Sequence, residues 1–148
     1  MAELTDSLDG YATIGFDTSP FIYYIDDHPE YASLVRIVLE RLSTGVNRGV
    51  TSVITMMEIS VKPLREQRLA LANAHATTVE RLPNLTILPI RSPDAWRAGA
   101  LLASNTLRPA DALQLATCIG AGATLFVTND RRLRQINEID VLVLDDYV

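Results

Sequence analysis

The stretch Y-A-T-I-G-F-D-T-S-P occupies residues 11–20 and joins an apolar run to a turn. Residues 11–16 include β-branched side chains, so they predict a short buried strand that ends at Asp17. Ser19 is a favourable N-cap, and proline is favoured at the first position of a helix, so we expect a helix to begin at Pro20. A strand that leads through a turn into a helix is the repeating unit of parallel α/β folds.

Four more short apolar segments have the composition of buried strands, at residues 49–53, 85–90, 124–128 and 141–144. Segments with helical spacing or with helix-start signals separate them. Continuously apolar strands that alternate with helices predict a parallel sheet covered on both faces. We therefore expect one α/β domain over residues 11–148, a three-layer α/β/α sandwich with a parallel sheet of about five strands. Residues 1–10 are expected to form a flexible N-terminal tail.

Composition indicates a compact globular protein, since 48% of the residues are hydrophobic and 21% are charged. The single cysteine, Cys118, excludes a disulfide within the chain and lies in an apolar helix, where a core residue is the favoured interpretation over a nucleophile. The N-terminus lacks the features of a signal peptide, and no apolar segment is long enough to cross a bilayer. We therefore expect a cytoplasmic protein without membrane contact.

The net charge of −5 argues against passive binding to nucleic acid, which normally depends on a basic surface. It does not argue against a metal site, because divalent cations can supply the positive charge that faces a phosphate. Arg131, Arg132 and Arg134 form a local basic group. Such a pattern favours a solvated helix face over a phosphate clamp.

Four carboxylates are predicted to meet at one edge of the sheet. Asp17 follows the first strand and Asp130 follows the fourth, and the carboxyl ends of parallel strands are where ligands bind in open sheets. Glu58 shares a helix face with Ile54 and Val61 in the helix after the second strand. Asp111 opens the helix that leads to the fourth strand, within L-R-P-A-D-A-L-Q-L-A at residues 107–116.

Each acid also has a purely structural interpretation. Asp17 and Asp130 are both suitable helix or turn caps. Glu58 can pair weakly with Lys62 four residues later. Asp111 suits the first turn of a helix that begins at Pro109, where the helix dipole favours an acid.

A functional interpretation follows from the four acids taken together. Clustered carboxylates repel one another, and such a group is stable when cations bind between its members. Sites made only of oxygen ligands select hard cations, so Mg²⁺ or Mn²⁺ is the expected cofactor. Two such ions can activate water and stabilise the leaving oxygen in phosphodiester hydrolysis.

Four motifs in the same order resemble those of the PIN domain family, and more narrowly of the VapC-type ribonuclease toxins. The motifs cover residues 16–23, F-D-T-S-P-F-I-Y; residues 51–58, T-S-V-I-T-M-M-E; residues 107–116, quoted above; and residues 126–133, F-V-T-N-D-R-R-L. By position, the family's four acids correspond to Asp17, Glu58, Asp111 and Asp130. Thr128 and Asn129 correspond to the polar residues beside the fourth acid.

The resemblance implies an Mg²⁺- or Mn²⁺-dependent endoribonuclease with a cognate antitoxin and a homodimeric assembly. On this resemblance we expect Asp17 and Asp111 to be the principal metal ligands, Glu58 and Asp130 to complete the site or to hold a second ion, and Thr128 to help orient metal-bound water or phosphate. The acidic net charge and the tail before the first strand depart from the typical pattern.

Three functions stay open from the sequence alone. The first is the toxin of a toxin–antitoxin pair. The second is a PIN-like binding module that no longer cleaves RNA, and the third is a PIN nuclease of RNA processing. The third shares the chemistry of the first, so the sequence does not separate them.

Overall fold

The computed structural model describes residues 2–148, which form five strands, seven α-helices and two short 3-10 helices. The strands are β1 Thr13–Phe16, β2 Arg48–Ser52, β3 Leu85–Leu88, β4 Leu125–Thr128 and β5 Asp140–Val143. The helices are α1 Ala2–Leu8, α2 Thr18–Ile25, α3 Ala32–Ser43, α4 Val53–Arg65, α5 Leu69–Glu80, α6 Ser92–Ser104 and α7 Pro109–Gly120. The 3-10 helices are Arg131–Gln135 and Leu144–Tyr147.

All strand pairs are parallel, in the order β3-β2-β1-β4-β5. The predicted parallel five-stranded α/β fold is therefore confirmed. The chain builds the sheet outward from β1 to β3, then returns through α6 and α7 and adds β4 on the other side of β1. The direction of strand addition reverses between β1 and β4, and ligands in open α/β sheets bind beyond the carboxyl ends of the strands at such a reversal.

Two apolar layers hold the helices against the sheet. One includes Phe16, Phe21 and Val38 and lies beneath α2 and α3. The other includes Leu115 and Phe126 and lies beneath α6 and α7.

Helix α7 approaches β1 very closely. A Cβ added at Gly15 would lie 2.9 Å from the Cβ of Cys118, which is closer than real side chains allow. Glycine at this position in β1 therefore lets α7 pack directly on the strand that leads to Asp17. Cys118 itself is fully buried, as predicted.

The N-terminal segment differs from the flexible tail predicted for residues 1–10. Residues 2–8 form α1, and Leu4 and Leu8 are fully buried against the α3 side of the core. The hydroxyl of Tyr147 donates a hydrogen bond to Ser7 Oγ at 2.6 Å, which ties the helix to the far end of the chain. The tail was predicted from the polar composition of the segment. Composition alone does not show that its two leucines are spaced four residues apart and lie on one helix face. Met1 lies outside the described residues.

The start of α2 also differs from the sequence prediction, and α4 contains an internal proline. Helix α2 begins at Thr18 with Asp17 as its N-cap, so Ser19 and Pro20 lie inside the first turn. Helix α4 continues through Pro63 to Arg65. Proline disturbs the hydrogen bond to the preceding turn but leaves the following residues free to continue the helix. Within residues 2–148, the structure contains no helix with the length and apolarity needed to span a membrane.

Candidate functional site

A cleft of about 340 Å³ lies beyond the carboxyl ends of β1 and β4, where the strand order reverses. The four predicted acids all line it, together with polar and apolar neighbours: Asp17, Thr18, Ser19, Ile22, Tyr23, Glu58, Arg108, Asp111, Asn129 and Asp130. The structure thus brings together acids from four segments that lie up to 113 positions apart in the sequence. Thr128, also predicted as a site residue, is fully buried beneath the cleft.

Asp17 is held at the junction of β1 and β4. Its Oδ1 accepts a hydrogen bond from the Thr18 backbone N–H at 2.9 Å, which caps α2. Its Oδ2 accepts a hydrogen bond from the Thr128 hydroxyl at 2.7 Å. The capping interpretation and the placement in the cleft are therefore both correct for this residue.

Burial raises the pKa of Asp17 to about 6, and the negative charges of Asp111 and Glu58 add to that increase. The hydrogen bonds from Thr128 and Thr18 lower the pKa but do not cancel the effect of burial. The surroundings of Asp17 therefore contain too little positive charge to stabilise its ionised carboxylate fully.

Glu58 is oriented by α2 and not by its own helix. Its Oε1 accepts a hydrogen bond from the Thr18 hydroxyl at 2.6 Å. Among the described residues it makes no ion pair with Lys62, so the pairing considered from the sequence is not formed. Glu58 is therefore linked to the N-terminal turn of α2 at the wall of the cleft.

A buried polar network connects the floor of the cleft to three elements. The side-chain amide of Gln114 in α7 donates a hydrogen bond to Thr55 Oγ1 at 2.7 Å. Its carbonyl oxygen accepts hydrogen bonds from the Ser52 backbone N–H at 3.1 Å and from the Ser52 hydroxyl. Thr55 Oγ1 also lies 3.3 Å from Thr18 Oγ1, the group that orients Glu58. Gln114 thereby joins α7 to the end of β2, to α4 and to α2.

Sequence reasoning missed Gln114, Thr18 and Thr55. A signal for Gln114 was present, because it lies three residues after Asp111 and therefore on the same face of α7. Thr18 directly follows Asp17, but a threonine after a strand has no distinctive pattern of its own. Thr55 gains its role only through partners on other elements.

Asp111 and Asp130 are both paired with arginines. The guanidinium of Arg108 donates to Asp111 through Nε at 3.0 Å and through Nη2 at 3.2 Å. Arg132 donates to Asp130 through Nε at 3.0 Å and through Nη2 at 2.7 Å. The hydrogen bond from Arg132 lowers the pKa of the Asp130 carboxyl below its ordinary value. Asp130 also caps the 3-10 helix, accepting from the Arg132 backbone N–H at 3.0 Å.

The donor set of the cleft suits a hard divalent cation, because it consists of carboxylate and hydroxyl oxygens. The raised pKa of Asp17 agrees with this, since a cation beside that carboxylate would offset its burial. Within residues 2–148, however, no three Asp, Glu, His or Cys side chains lie close enough together to hold a metal ion in their present positions. Two of the four acids, Asp111 and Asp130, form ion pairs with arginines instead.

The sequence carries a match to one known protein family. The model of the PIN domain family matches residues 14–139. Among curated proteins, none shows significant similarity to this chain.

Several solved structures share the fold. VapBC2 from Rickettsia felis, bound to a promoter DNA fragment, has a TM-score of 0.68 and 15% identity, covering 88% of this chain and 98% of that one. A toxin–antitoxin complex from Klebsiella pneumoniae has a TM-score of 0.64 and 23% identity, covering 88% and 97%. A DNA-bound VapBC from Salmonella typhimurium has a TM-score of 0.66 and 22% identity, covering 90% and 98%. At such identities the likeness establishes the fold.

Proposed function

This chain belongs to the PIN domain family, and from that membership we propose that it is an endoribonuclease that hydrolyses RNA phosphodiester bonds with Mg²⁺ or Mn²⁺. The observation that carries the proposal is the single cleft that Asp17, Glu58, Asp111 and Asp130 share at the reversal of strand order. A divalent cation held by these acids would supply Lewis-acid catalysis of phosphodiester hydrolysis.

The residues of the cleft have distinct roles in this proposal. Asp17 and Asp111 are the principal ligands, because Asp17 makes no ion pair within residues 2–148 and Asp111 lines the same cleft from the start of α7. Glu58 and Asp130 complete the ligand set. Thr128 is a positioning residue, because its buried hydroxyl donates to Asp17 and accepts from the Asp130 backbone N–H at 3.0 Å. In this proposal Thr128 helps to orient metal-bound water or phosphate through its hydrogen bond to Asp17.

The test is cleavage of a labelled single-stranded RNA by the purified protein with Mn²⁺ or with EDTA. We expect cleavage with Mn²⁺ that EDTA abolishes, and a loss of about 100-fold or more for Asp17→Asn and Asp111→Asn, in the range lost with essential catalytic groups. Glu40→Gln, an exposed acid on α3, is the matched control and should cleave normally. Cleavage that survives EDTA, or that survives both aspartate substitutions, would overturn the mechanism. Calorimetry without Mn²⁺ binding, together with no cleavage, would instead favour a PIN-like binding module.

We further propose that the chain is the toxin of a toxin–antitoxin pair and acts in the cytoplasm, where its RNA substrate would be. The proposal is supported by similar solved structures that are VapBC or toxin–antitoxin complexes. Induced expression should arrest bacterial growth, and Asp17→Asn should relieve the arrest. Normal growth with an active purified enzyme would favour a processing nuclease.

Two surfaces are consistent with protein partners. An apolar groove formed by Ile22, Ile25 and Ile59 borders Glu58 and could receive an antitoxin segment. Helix α4 carries an exposed apolar stripe, formed by Val53, Met57, Val61 and Leu64, which suits a homodimer interface. Light scattering should give the mass of a dimer for the native chain and of a monomer for Met57→Asp. A monomeric native chain would exclude the homodimer.

A further inference from the structure

Helices α6 and α7 begin with the same arrangement of residues. Each has an arginine at the N-cap and an aspartate three residues later, with proline in the first turn: Arg91 and Asp94 in α6, Arg108 and Asp111 in α7. The exposed fraction of the arginine side chain is 65% in both pairs, and both aspartates are buried. The two pairs are therefore a natural internal comparison.

The two aspartates differ in what binds their carboxylates. Asp94 Oδ2 accepts a hydrogen bond from the Arg91 backbone N–H at 2.9 Å, and the Arg91 guanidinium Nε is 3.7 Å away. Asp94 therefore stabilises the start of α6, because its carboxylate accepts a hydrogen bond from a backbone N–H that has no acceptor within the helix. Asp111 makes no such bond to its N-cap, and within residues 2–148 its hydrogen bonds come from the Arg108 guanidinium alone.

Arg108 therefore has a role at Asp111 that Arg91 lacks at Asp94. A guanidinium that donates from two nitrogens to both oxygens of a carboxylate occupies the atoms that a cation would need. Arg132 occupies both oxygens of Asp130 in the same way. Both arginines line an adjoining cavity of about 170 Å³ together with Asp111 and Asp130.

The formal charges of the site are compatible with the exchange of an arginine for a cation. Four carboxylates and two guanidinium groups give a formal charge of −2 when all are ionised. Both arginine side chains are about two-thirds exposed, at 65% for Arg108 and 69% for Arg132. Exposed ion pairs are weak, and a long side chain that is anchored only at its tip can turn to another anion.

We propose that Arg108 and Arg132 are exchangeable counterions of the site, which compete with a divalent cation for Asp111 and Asp130 and bind RNA phosphates once displaced. The inference rests on the proposed nuclease function and names the residues that bind its substrate. It explains how a chain with a net charge of −5 holds RNA. The basic groups become available at the cleft only when a cation has taken their place at the acids.

The primary test is the affinity of the full chain for Mn²⁺ alone, measured by calorimetry. Arg108→Ala should bind Mn²⁺ about 5-fold more tightly than the native chain, because a competitor worth an exposed ion pair has been removed. Arg108→Lys should fall between the two, because it keeps the charge without the bidentate geometry. Arg91→Ala is the matched control and should leave the affinity unchanged.

The second readout is the binding of a single-stranded RNA oligonucleotide by fluorescence anisotropy, read at low temperature within the interval over which a gel shows the RNA to be uncut. The native chain should bind it more tightly in Mn²⁺ than in EDTA. Arg108→Ala should bind it more weakly in Mn²⁺, and the slope of log affinity against log salt should fall by about 1, as for the loss of one phosphate contact. Arg91→Ala should again match the native chain.

The outcomes separate this inference from the proposed function. A native chain that binds no Mn²⁺ overturns both. A native chain that binds Mn²⁺ while Arg108→Ala, folded by circular dichroism, binds it equally or more weakly overturns the exchange alone and makes Arg108 a residue that positions Asp111. Tighter Mn²⁺ binding with unchanged RNA binding overturns the phosphate role.

Discussion

The hydroxyl of Thr128 at the end of β4 donates a hydrogen bond to Asp17 Oδ2 at 2.7 Å and couples two strands that are adjacent in the sheet but 111 residues apart in the chain. The same oxygen accepts the Asp130 backbone N–H at 3.0 Å. One buried atom thus orients an acid of β1 and the backbone of another acid that follows β4.

Replacing Thr128 by valine should weaken both the fold and the enzyme. Valine has nearly the same shape but lacks the hydroxyl, so the Asp130 N–H loses its partner, at a cost of about 1–3 kcal/mol in the free energy of unfolding. The loss of the donor should also raise the pKa of Asp17, shifting the acidic limb of the pH–rate profile upward. Thr128→Ser should restore both properties, and a valine variant with a native profile would exclude the positioning role.

The Asp17 carboxyl should make the protein less stable as the pH rises. Its pKa in the fold is about 6, against an ordinary value of 3.8. The folded state therefore binds more protons between these values, and its stability falls as the pH rises from about 4 to about 6. The full effect is at most about 3 kcal/mol, from 1.36 kcal/mol for each pKa unit. Urea denaturation in EDTA should give Asp17→Asn a higher free energy of unfolding than the native chain at pH 7.5. This difference should shrink toward pH 4. A difference that does not change with pH would contradict the raised pKa.

Gln114 should be important for stability as well as for activity. Gln114→Leu leaves the Ser52 backbone N–H without a partner in a buried site, which should cost about 1–3 kcal/mol in the free energy of unfolding. Gln135→Leu is the control, because Gln135 also accepts from a backbone N–H, that of Thr106 at 2.9 Å, but at an exposed position. It should cost less than about 1 kcal/mol. Equal losses in the two variants would show that burial of the network is unimportant.

Helix α1 should contribute to global stability. Leu4 is fully buried, so Leu4→Ala should lower the free energy of unfolding by about 2–5 kcal/mol, as in other core truncations. Glu3→Ala, at the exposed neighbouring position, should change it by less than about 0.5 kcal/mol. Both values come from denaturant unfolding followed by circular dichroism. A negligible effect of Leu4→Ala would support the flexible tail.

Cys118 should be unreactive in the folded protein. It is fully buried, and burial raises the pKa of its thiol to about 12, so little thiolate exists at neutral pH. A thiol reagent should label no cysteine in the native chain and one after denaturation. Ser104→Cys places a thiol at an exposed position near the end of α6 and should be labelled at once. Rapid labelling of the native chain would contradict the buried position.

The alternation of apolar strands with helices was sufficient to predict the parallel sheet, because both patterns are local properties of the chain. The positions of Asp17 and Asp130 were also predictable, since a residue within two positions of the end of a strand lies at the carboxyl edge whatever the neighbouring strand is. Glu58 and Asp111 could be placed at that edge from the faces and the direction of their helices. In these cases a local signal determined the position of the side chain.

Tertiary structure alone decided how the acids are held. The contacts of Gln114 with Ser52 and Thr55 span 62 and 59 residues, and no local pattern marks residues that meet only after the sheet has assembled. The same reason applies to Leu4 and Leu8, whose burial depends on α3. The bidentate pairing of Arg108 with Asp111 is local in the sequence, yet the near-identical start of α6 produces a helix cap instead. Whether a helix cap or an arginine pair forms depends on the direction of the carboxylate. In α6 the carboxylate accepts from a backbone N–H, whereas in α7 it is directed into the cleft because α7 packs against β1 and β2.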